Sequence, residues 1–206
     1  MKDSEKTSHL EAWLGHTFVN AELLETALTH RSFANENQVE HNERLEFLGD
    51  AILNVTATVM LFELFPDLSE GSLSQMRAKL VSSEMLLSLA KTCDLGASLR
   101  LGVGEIQSGG RDRPSILGDA VEAIIGAVCQ DAGVEKAMLS VRQLIFNDIA
   151  QLRSSAQLAD DHKDPRSKLL ELSQREHGIG PKYDVIDRTG PPHKPQFTVT
   201  VSVAGK

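Results

Sequence analysis

The hydrophobic residues of this 206-residue chain change their spacing once, and that change limits the folds that the chain can adopt. Before residue 180 the apolar side chains recur at helical intervals, and no segment alternates apolar and polar residues as a half-buried strand does. Residues 197–203 (FTVTVSV) then alternate without a fault. The pattern predicts a mainly α protein in which a large helical domain precedes a short β segment.

Charge divides the chain in a similar place. The whole chain has 21 Lys and Arg against 29 Asp and Glu, a formal net charge of -8. Residues 1–155 hold 13 basic and 22 acidic side chains, whereas residues 156–206 hold 8 and 7. Between them the helical period fades and Ser, Ala and Asp become frequent, so we predict a linker at 156–163 and a second domain at 164–206. An acidic body of this kind needs cations to approach a polyanion.

Cysteine usage and the N-terminus indicate the compartment. Cys93 and Cys129 are too few for a disulfide framework and lack the spacing of metal-binding pairs. The first residues are too acidic and polar for a signal peptide, and no run of about 18 apolar residues marks a membrane span. We therefore expect a cytoplasmic protein with no membrane partner.

Two helical segments that share the sequence Leu-Gly-Asp-Ala, at 48–51 and 117–120, carry an unusual set of carboxylates. On the first helix the acids form one stripe opposite the apolar side. On the second they lie in a helix that is apolar on nearly every side, where burying a carboxylate without a partner costs several kcal/mol. The acids are Glu43, Glu46 and Asp50 on the first helix, and Asp119 and Glu122 on the second.

A cation is the natural partner for these acids. Carboxylates with almost no His or Cys nearby are hard oxygen ligands, suited to Mg²⁺ or Mn²⁺ and to phosphoryl chemistry. A solvated helix face explains the first stripe equally simply, and the second helix is what favours a metal site. Gly126 lies on the second stripe, where another backbone or a substrate can come close. Phe47 lies beside the first stripe, and either packs on a neighbouring helix or contacts a second subunit.

The run at residues 41–50, HNERLEFLGD, resembles the signature of the ribonuclease III family. Segments at 27–32 (ALTHRS), 76–78 (MRA), 101–105 (LGVGE) and 117–123 (LGDAVEA) match the family in the same order. The resemblance implies an all-helical endonuclease domain that forms a homodimer and cuts both strands of double-stranded RNA, with Mg²⁺ or Mn²⁺ as cofactor. It also implies 5′-phosphate and 3′-hydroxyl products and a part in ribosomal and messenger RNA processing.

By position, Glu46, Asp119 and Glu122 match the metal ligands of that family. Asp50 and Glu122 match its catalytic acids, with Asp50 placed to orient the attacking water. These assignments follow from the resemblance, residue by residue, and they agree with the oxygen-rich site that the two acidic helices indicate.

Four further positions match in the same way. Glu43 matches an acid on the dimer interface or substrate side, and Phe47 matches an aromatic knob that enters the partner subunit. Ser115 matches a serine that orders the catalytic helix, and Arg113 stands where a basic residue is common, without an assigned role. The glycine-rich segment 102–114 is a mobile connection by its composition, and the resemblance makes it a candidate RNA contact.

The second domain resembles the α-β-β opening of a double-stranded-RNA-binding domain. A helix that follows Asp164 leads into strands predicted at 183–187 and 197–203. Gln174 on the helix and His193 in the hairpin turn are the predicted RNA contacts, although a histidine in a turn is as often a solvated turn residue. The third strand and closing helix of such a domain do not follow, so we expect a truncated form of a longer protein.

Three functions are compatible with these features. The first is a dimeric, Mg²⁺-dependent endonuclease for double-stranded RNA. The second is an RNA-binding protein that has lost catalysis, and the complete acid set argues against it. The third is a helical metal-dependent phosphohydrolase for small phosphate esters, and the RNA-binding tail argues against that.

Overall fold

The computed structural model describes residues 2–161, 165–190 and 195–204. The chain divides into two compact units, Met1–Leu152 and Arg153–Lys206, close to the predicted boundary after residue 155. The predicted linker at 156–163 is helical as far as Asp161, because these residues continue a helix that begins at Val134. A mixed Ser, Ala and Asp composition weakens the apolar stripe of a helix without breaking its backbone, and the sequence prediction rested on that stripe.

The described part of the first unit is built from helices. In chain order these are α1 (Lys2–Leu14), α2 (Ala21–Ala27), α3 (Arg31–Asn37), α4 (Glu43–Leu64), α5 (Glu70–Leu80), α6 (Ser83–Thr92), α7 (Leu95–Ser98), α8 (Val103–Gln107), α9 (Pro114–Ala132) and α10 (Val134–Asp161), whose last residues belong to the second unit. A single 3₁₀ turn at Gly110–Asp112 precedes α9. Side-chain caps fix several helix starts, as where Ser82 Oγ accepts a hydrogen bond from the Met85 backbone N–H at 3.3 Å.

Helix α9 is the centre of this unit. Eleven of its 19 residues are buried, including Val121, Ile124, Ile125 and Val128. It packs against α2, α4 and α6. Helix α4 also packs against α5. The prediction of a core helix that carries acids is confirmed, because the apolar surroundings of α9 come from three neighbouring helices.

Helix α4 is the one described helix that is long and apolar enough to cross a membrane by length and composition. The core helix of a soluble protein passes the same test, so a single helix of this kind is weak evidence for a span. The expectation that the chain has no membrane partner stays a prediction.

The second unit has the predicted α-β-β order. Helix α11 (Pro165–His177) is followed by β1 (Lys182–Thr189) and β2 (Gln196–Ser202), which pair antiparallel with Tyr183 opposite Val201. A register shift between Val185 and Asp187 interrupts the pairing, and a shift of this kind is typical of a β-bulge. Both strands begin within one residue of the predicted positions, since the alternating pattern of residues 197–203 reflects the two faces of a strand.

Candidate active site

Helices α4 and α9 approach most closely where each carries a glycine. A Cβ atom on Gly49 would lie 1.7 Å from the backbone oxygen of Glu122, and one on Gly126 would lie 2.0 Å from the backbone oxygen of Leu45. No side chain fits at either position, so the two glycines allow the backbones to touch. The predicted close approach at Gly126 is confirmed, and the group that approaches is the backbone of α4.

This crossing gathers acids from both helices. Glu46 lies about one helical turn before Gly49, and Glu122 lies about one turn before Gly126. Carboxylate oxygens of Glu46, Asp119 and Glu122 all lie within 4.8 Å of one another, and the three residues are partly buried. We call these three residues the acid cluster. One cation placed among them would contact a ligand atom from each.

Burial and mutual repulsion make the acid cluster costly to ionise. Burial raises the pKa of Glu122 to about 7, with further contributions from the charges of Asp50, Glu46 and Asp119. Burial also raises the pKa of Glu46, and the charge of Asp119 adds to that effect. A bound cation would reverse this cost, because opposite charge favours the ionised carboxylates.

Two basic groups partly relieve Asp119. Burial raises the pKa of Asp119, while the charges of His30 and Arg31 act in the opposite direction. His30 in turn has a pKa lowered by burial. Among the described residues, charges that favour the ionised form act on Asp119, whereas every cause found for Glu46 and Glu122 raises the pKa, so these two acids are the ones most in need of a cation.

Asp50 and Glu43 stand outside the acid cluster. Asp50 is exposed, and its Oδ1 accepts a hydrogen bond of 2.7 Å from the Asn54 amide. Glu43 is also exposed and lies 3.6 Å from Arg31 and 3.8 Å from His41. This arrangement agrees with the separate roles predicted for these two acids, and it leaves both roles untested.

A cavity of about 480 Å³ opens beside the acid cluster, and we call it the acidic cavity. Five of its lining residues are among those singled out from the sequence: Glu43, Glu46, Arg113, Ser115 and Asp119. Sequence reasoning assigned no role to four others, His30, Arg31, Asn42 and Glu105. A signal for three of them was present, because His30, Arg31 and Glu105 lie in segments 27–32 and 101–105, which match the family.

The segment 102–114 is more ordered than its composition suggests. It contains α8 and the 3₁₀ turn, and its first residues are tied to α3, since the Gly102 N–H donates to Ser32 Oγ at 2.9 Å. Near its other end the Arg113 guanidinium lies 2.5 Å from a Glu105 oxygen and donates to Ser108 Oγ at 3.1 Å. Composition predicts an irregular connection here, whereas the glycines join short helical turns; the mobility of the segment stays a prediction.

Phe47 is largely exposed in the part of the chain that the structure describes. Its side chain is 82% exposed, and Phe62 on the same side of α4 is 72% exposed. The alternative in which Phe47 packs on a neighbouring helix is therefore wrong for the described helices of the first unit. We call these two side chains the exposed aromatic face of α4, and it is a candidate contact surface.

In the second unit, Gln174 is exposed on α11. Nearby, Ser173 Oγ donates a hydrogen bond of 2.5 Å to the Ile179 carbonyl and so fixes the turn that leads to β1. His193, the other predicted RNA contact, lies outside the described residues. The described surface therefore presents one of the two predicted contacts.

Both units match known families. Residues 20–149 match the family described as "Ribonuclease-III-like", and residues 165–206 match the "Double-stranded RNA binding motif". A helical domain with a carboxylate site, joined to a unit of this second type, defines the class of protein: an endoribonuclease that acts on double-stranded RNA.

Relatives and solved structures specify the family. The chain is 49% identical to Ribonuclease 3 of Azotobacter vinelandii, over 98% of this chain and 84% of the relative, and 49% identical to Ribonuclease 3 of Pseudomonas fluorescens Pf-5, over 97% and 84%. The nuclease domain of ribonuclease III from Campylobacter jejuni matches with a TM-score of 0.64 and 42% identity, over 68% of this chain and 95% of that one. The chain belongs to the ribonuclease III family. Dicer from Pichia stipitis shares the fold at 22% identity, with a TM-score of 0.52 over 92% of this chain and 84% of that one.

Proposed function

We propose that this endoribonuclease is a Mg²⁺-dependent homodimer in which Glu46, Asp119 and Glu122 hold the ion and Asp50 assists the attack of water. The observation that carries the proposal is the convergence of three carboxylate oxygens within 4.8 Å at a helix crossing. Oxygen ligands alone favour Mg²⁺, with Mn²⁺ as a substitute, over zinc. The chain also has the RNA-binding unit that brings a duplex to such a site.

The chemistry is hydrolysis of a phosphodiester bond. Water attacks phosphorus, the bond from phosphorus to the 3′-oxygen breaks, and that oxygen leaves with a proton, so the products carry 5′-phosphate and 3′-hydroxyl ends. A metal ion, when bound, supplies an activated water and stabilises charge on the phosphate. Asp50 is suited to accept a proton from the attacking water, because it is exposed and its Oδ1 is oriented by Asn54.

Two active sites are needed to cut both strands. Each chain has one acid cluster among its described residues, so a dimer with a two-fold axis would supply one cutting centre for each strand. The exposed aromatic face that includes Phe47 supports this arrangement. The nuclease domain of the Campylobacter jejuni ribonuclease III has a region involved in dimer formation, which agrees with the proposal.

A part in ribosomal and messenger RNA processing, in the cytoplasm and without a membrane partner, completes the proposal. Burial raises the pKa of Cys93 to about 11 and also raises that of Cys129, so both thiols stay protonated near neutral pH. Both cysteines are free. Gln174 and His193 are the proposed contacts of the second unit with RNA.

The test is incubation with a long RNA duplex, read on a denaturing gel. We expect short products of uniform size with Mg²⁺ or Mn²⁺, and intact RNA with a chelator or with Ca²⁺. Retention of the duplex without cutting in Mg²⁺ would instead support the RNA-binding protein that has lost catalysis. Release of phosphate from nucleotides without duplex cleavage would support the small-ester phosphohydrolase.

A further inference from the structure

We propose that His30 is a substrate-binding residue of the acidic cavity, and that its Nε2–H donates a hydrogen bond to an oxygen of the RNA phosphate that is cut. The inference rests on the proposed function of the acid cluster, and it adds a neutral hydrogen-bond donor to a site made of carboxylates. His30 lines the cavity together with Glu46 and Asp119.

The surroundings of Nδ1 determine which nitrogen of the ring carries the proton. His30 is the N-cap residue of α3, and the Ser32 backbone N–H donates to His30 Nδ1 at 3.2 Å. Ser32 Oγ lies 2.8 Å from the same nitrogen and itself accepts from the Gly102 N–H at 2.9 Å, so the serine hydroxyl is free to donate to Nδ1. A nitrogen that accepts hydrogen bonds carries no proton, and the ring proton therefore resides on Nε2.

Hydrogen bonds also hold the backbone of His30 in place. The His30 backbone N–H donates to the Arg100 carbonyl at 3.0 Å, and the neighbouring Thr29 forms a bridge to Arg100. The position of the imidazole is thus fixed both by backbone hydrogen bonds to Arg100 and by the hydrogen bonds at Nδ1. A donor on a fixed base needs little reorganisation when a substrate arrives.

Nε2 is the accessible nitrogen of a ring that lines the cavity. Among the described residues no protein group bonds to Nε2, and this atom is not one of the buried polar atoms that lack a partner, so it reaches solvent. The ring lines the same cavity as Glu46, Glu105 and Asp119, so an oxygen atom held near these acids lies beside it. The donor is therefore available to an oxygen atom that enters the cavity.

Two simpler roles do not explain an imidazole here. Capping alone does not, because Ser, Thr, Asp or Asn cap a helix better than His. Metal ligation does not, because a nitrogen that bears a proton has no lone pair for a cation. What remains is donation to an acceptor, and the phosphate of the RNA substrate brings anionic oxygens to the acid cluster.

The chain offers a matched pair of variants, because each amide side chain reproduces one nitrogen of the ring. In His30→Asn the amide oxygen replaces Nδ1 as the helix cap, while the donor at Nε2 is lost. In His30→Gln the longer side chain carries an amide N–H to the position of Nε2, while the cap is lost. His30→Asn should therefore keep more of the stability and less of the cleavage rate, and His30→Gln should keep more of the cleavage rate and less of the stability.

The experiment uses the full chain with a duplex RNA in excess enzyme and saturating Mg²⁺, and measures the single-turnover cleavage rate. We expect His30→Asn to cut about a hundredfold more slowly than the parent, and His30→Gln to cut at least about tenfold faster than His30→Asn. Thermal unfolding should show the reverse, with the lower Tm in His30→Gln. Duplex binding in Ca²⁺ should be unchanged in both variants, because the lost hydrogen bond is one among many phosphate contacts.

Equal cleavage rates for the two variants would overturn the donor role, and so would a parental rate in His30→Asn. A parent chain that fails to cut duplex RNA in Mg²⁺ would instead refute the proposed function of the acid cluster. The parent reaction thus separates failure of this inference from failure of the site.

Discussion

Glu122 occupies the most demanding position among the described acids. Its backbone oxygen faces the Gly49 side of the helix crossing, and its side chain lies in the acid cluster with a pKa raised to about 7 by burial and by neighbouring acids. Ionisation of this carboxyl group is therefore unfavourable in the absence of a partner charge. A cation is the partner that would make its ionised form favourable.

The first prediction concerns this residue as a ligand. Glu122→Gln keeps the shape of the side chain but removes its charge, so cleavage should fall by a factor of about a hundred or more while duplex binding in Ca²⁺ is retained. Cleavage in Mg²⁺ and binding by fluorescence anisotropy would measure the two effects. Glu135→Gln, the same chemical change at an exposed site on α10, is the control and should cut normally. Normal cutting by Glu122→Gln would exclude the ligand assignment.

The second prediction concerns pH. The pKa of Glu122 is raised in the folded chain, so below neutral pH the folded state binds more protons than the unfolded state. In a chelator the free energy of unfolding should therefore decrease as pH rises from the ordinary range of a glutamate, about 4.3, through about 7. Glu46 and Asp119 contribute in the same direction.

Urea unfolding across this pH range would measure the effect. Saturating Mg²⁺ should remove much of the loss, because the ion binds the deprotonated acids. Glu122→Gln should flatten the pH dependence in chelator. Because the lowered pKa of His30 acts in the opposite direction, the comparison with the variant decides: a parent curve that falls no more steeply with pH than that of Glu122→Gln would contradict the assignment of the Glu122 shift.

At the scale of helices and strands, the sequence pattern predicts the local structure of each element but not the contacts between elements that are far apart in the chain. The apolar surroundings of α9 and the alternation of β2 are properties of neighbouring residues, and both predictions were confirmed. The acid cluster was predictable as a set of residue types. Its geometry depends on Gly49 and Gly126, which are far apart in sequence, and periodicity alone gave no sign that they meet.

The segment 102–114 shows why the rest could not be predicted. Its order comes from partners distant in sequence, such as Ser32 and Glu36, which accept hydrogen bonds from the Gly102 and Val103 N–H groups. Composition reports the glycines and not these partners. The same limit explains why His30 was missed, because its Nδ1 contact is local whereas its place in the cavity is set by tertiary packing.

The third prediction tests the helix crossing. Gly49→Ala places a methyl group where the Glu122 backbone oxygen lies, so the helices must separate, at a cost of about 1–3 kcal/mol or more. The acid cluster would open with them, and cleavage should decrease more than duplex binding. Gly71→Ala on α5 is the control, because nothing lies within 4 Å of its added methyl group.

Urea unfolding and single-turnover cleavage would be measured for both variants. The control should be as stable as the parent or slightly more stable, since Ala is favoured over Gly in helices. If Gly49→Ala matched the parent in stability and rate, close contact between the helices would not be what forms the site.

At the scale of the whole molecule, two properties of the first unit need an explanation. Its residues are strongly acidic overall, although its substrate is a polyanion. It also exposes an aromatic face on α4 that includes Phe47 and Phe62. In the proposed function, metal ions at the acid cluster would explain how the first property is tolerated, and a second copy of the chain would cover the aromatic face.

The fourth prediction concerns this second copy. Phe47→Ala removes a large apolar side chain that is 82% exposed in the single chain, and aromatic anchors of this kind dominate the energy of an interface. We expect the parent to sediment as a dimer and the variant to shift toward monomer, with the dissociation constant raised by a factor of about 30 or more for a loss of about 2 kcal/mol. Val19→Ala, at another highly exposed apolar residue, is the control and should leave the dimer intact.

Cleavage distinguishes a dimer that is needed for function from one that is incidental. A duplex labelled on both strands should be cut on both in one binding event by the parent, and the variant at low concentration should lose these paired cuts, because only a dimer holds two centres on one duplex. Raising the concentration of Phe47→Ala should restore them by mass action. A parent that sediments as a stable monomer and still makes paired cuts would refute the proposal, since one acid cluster would then be serving both strands.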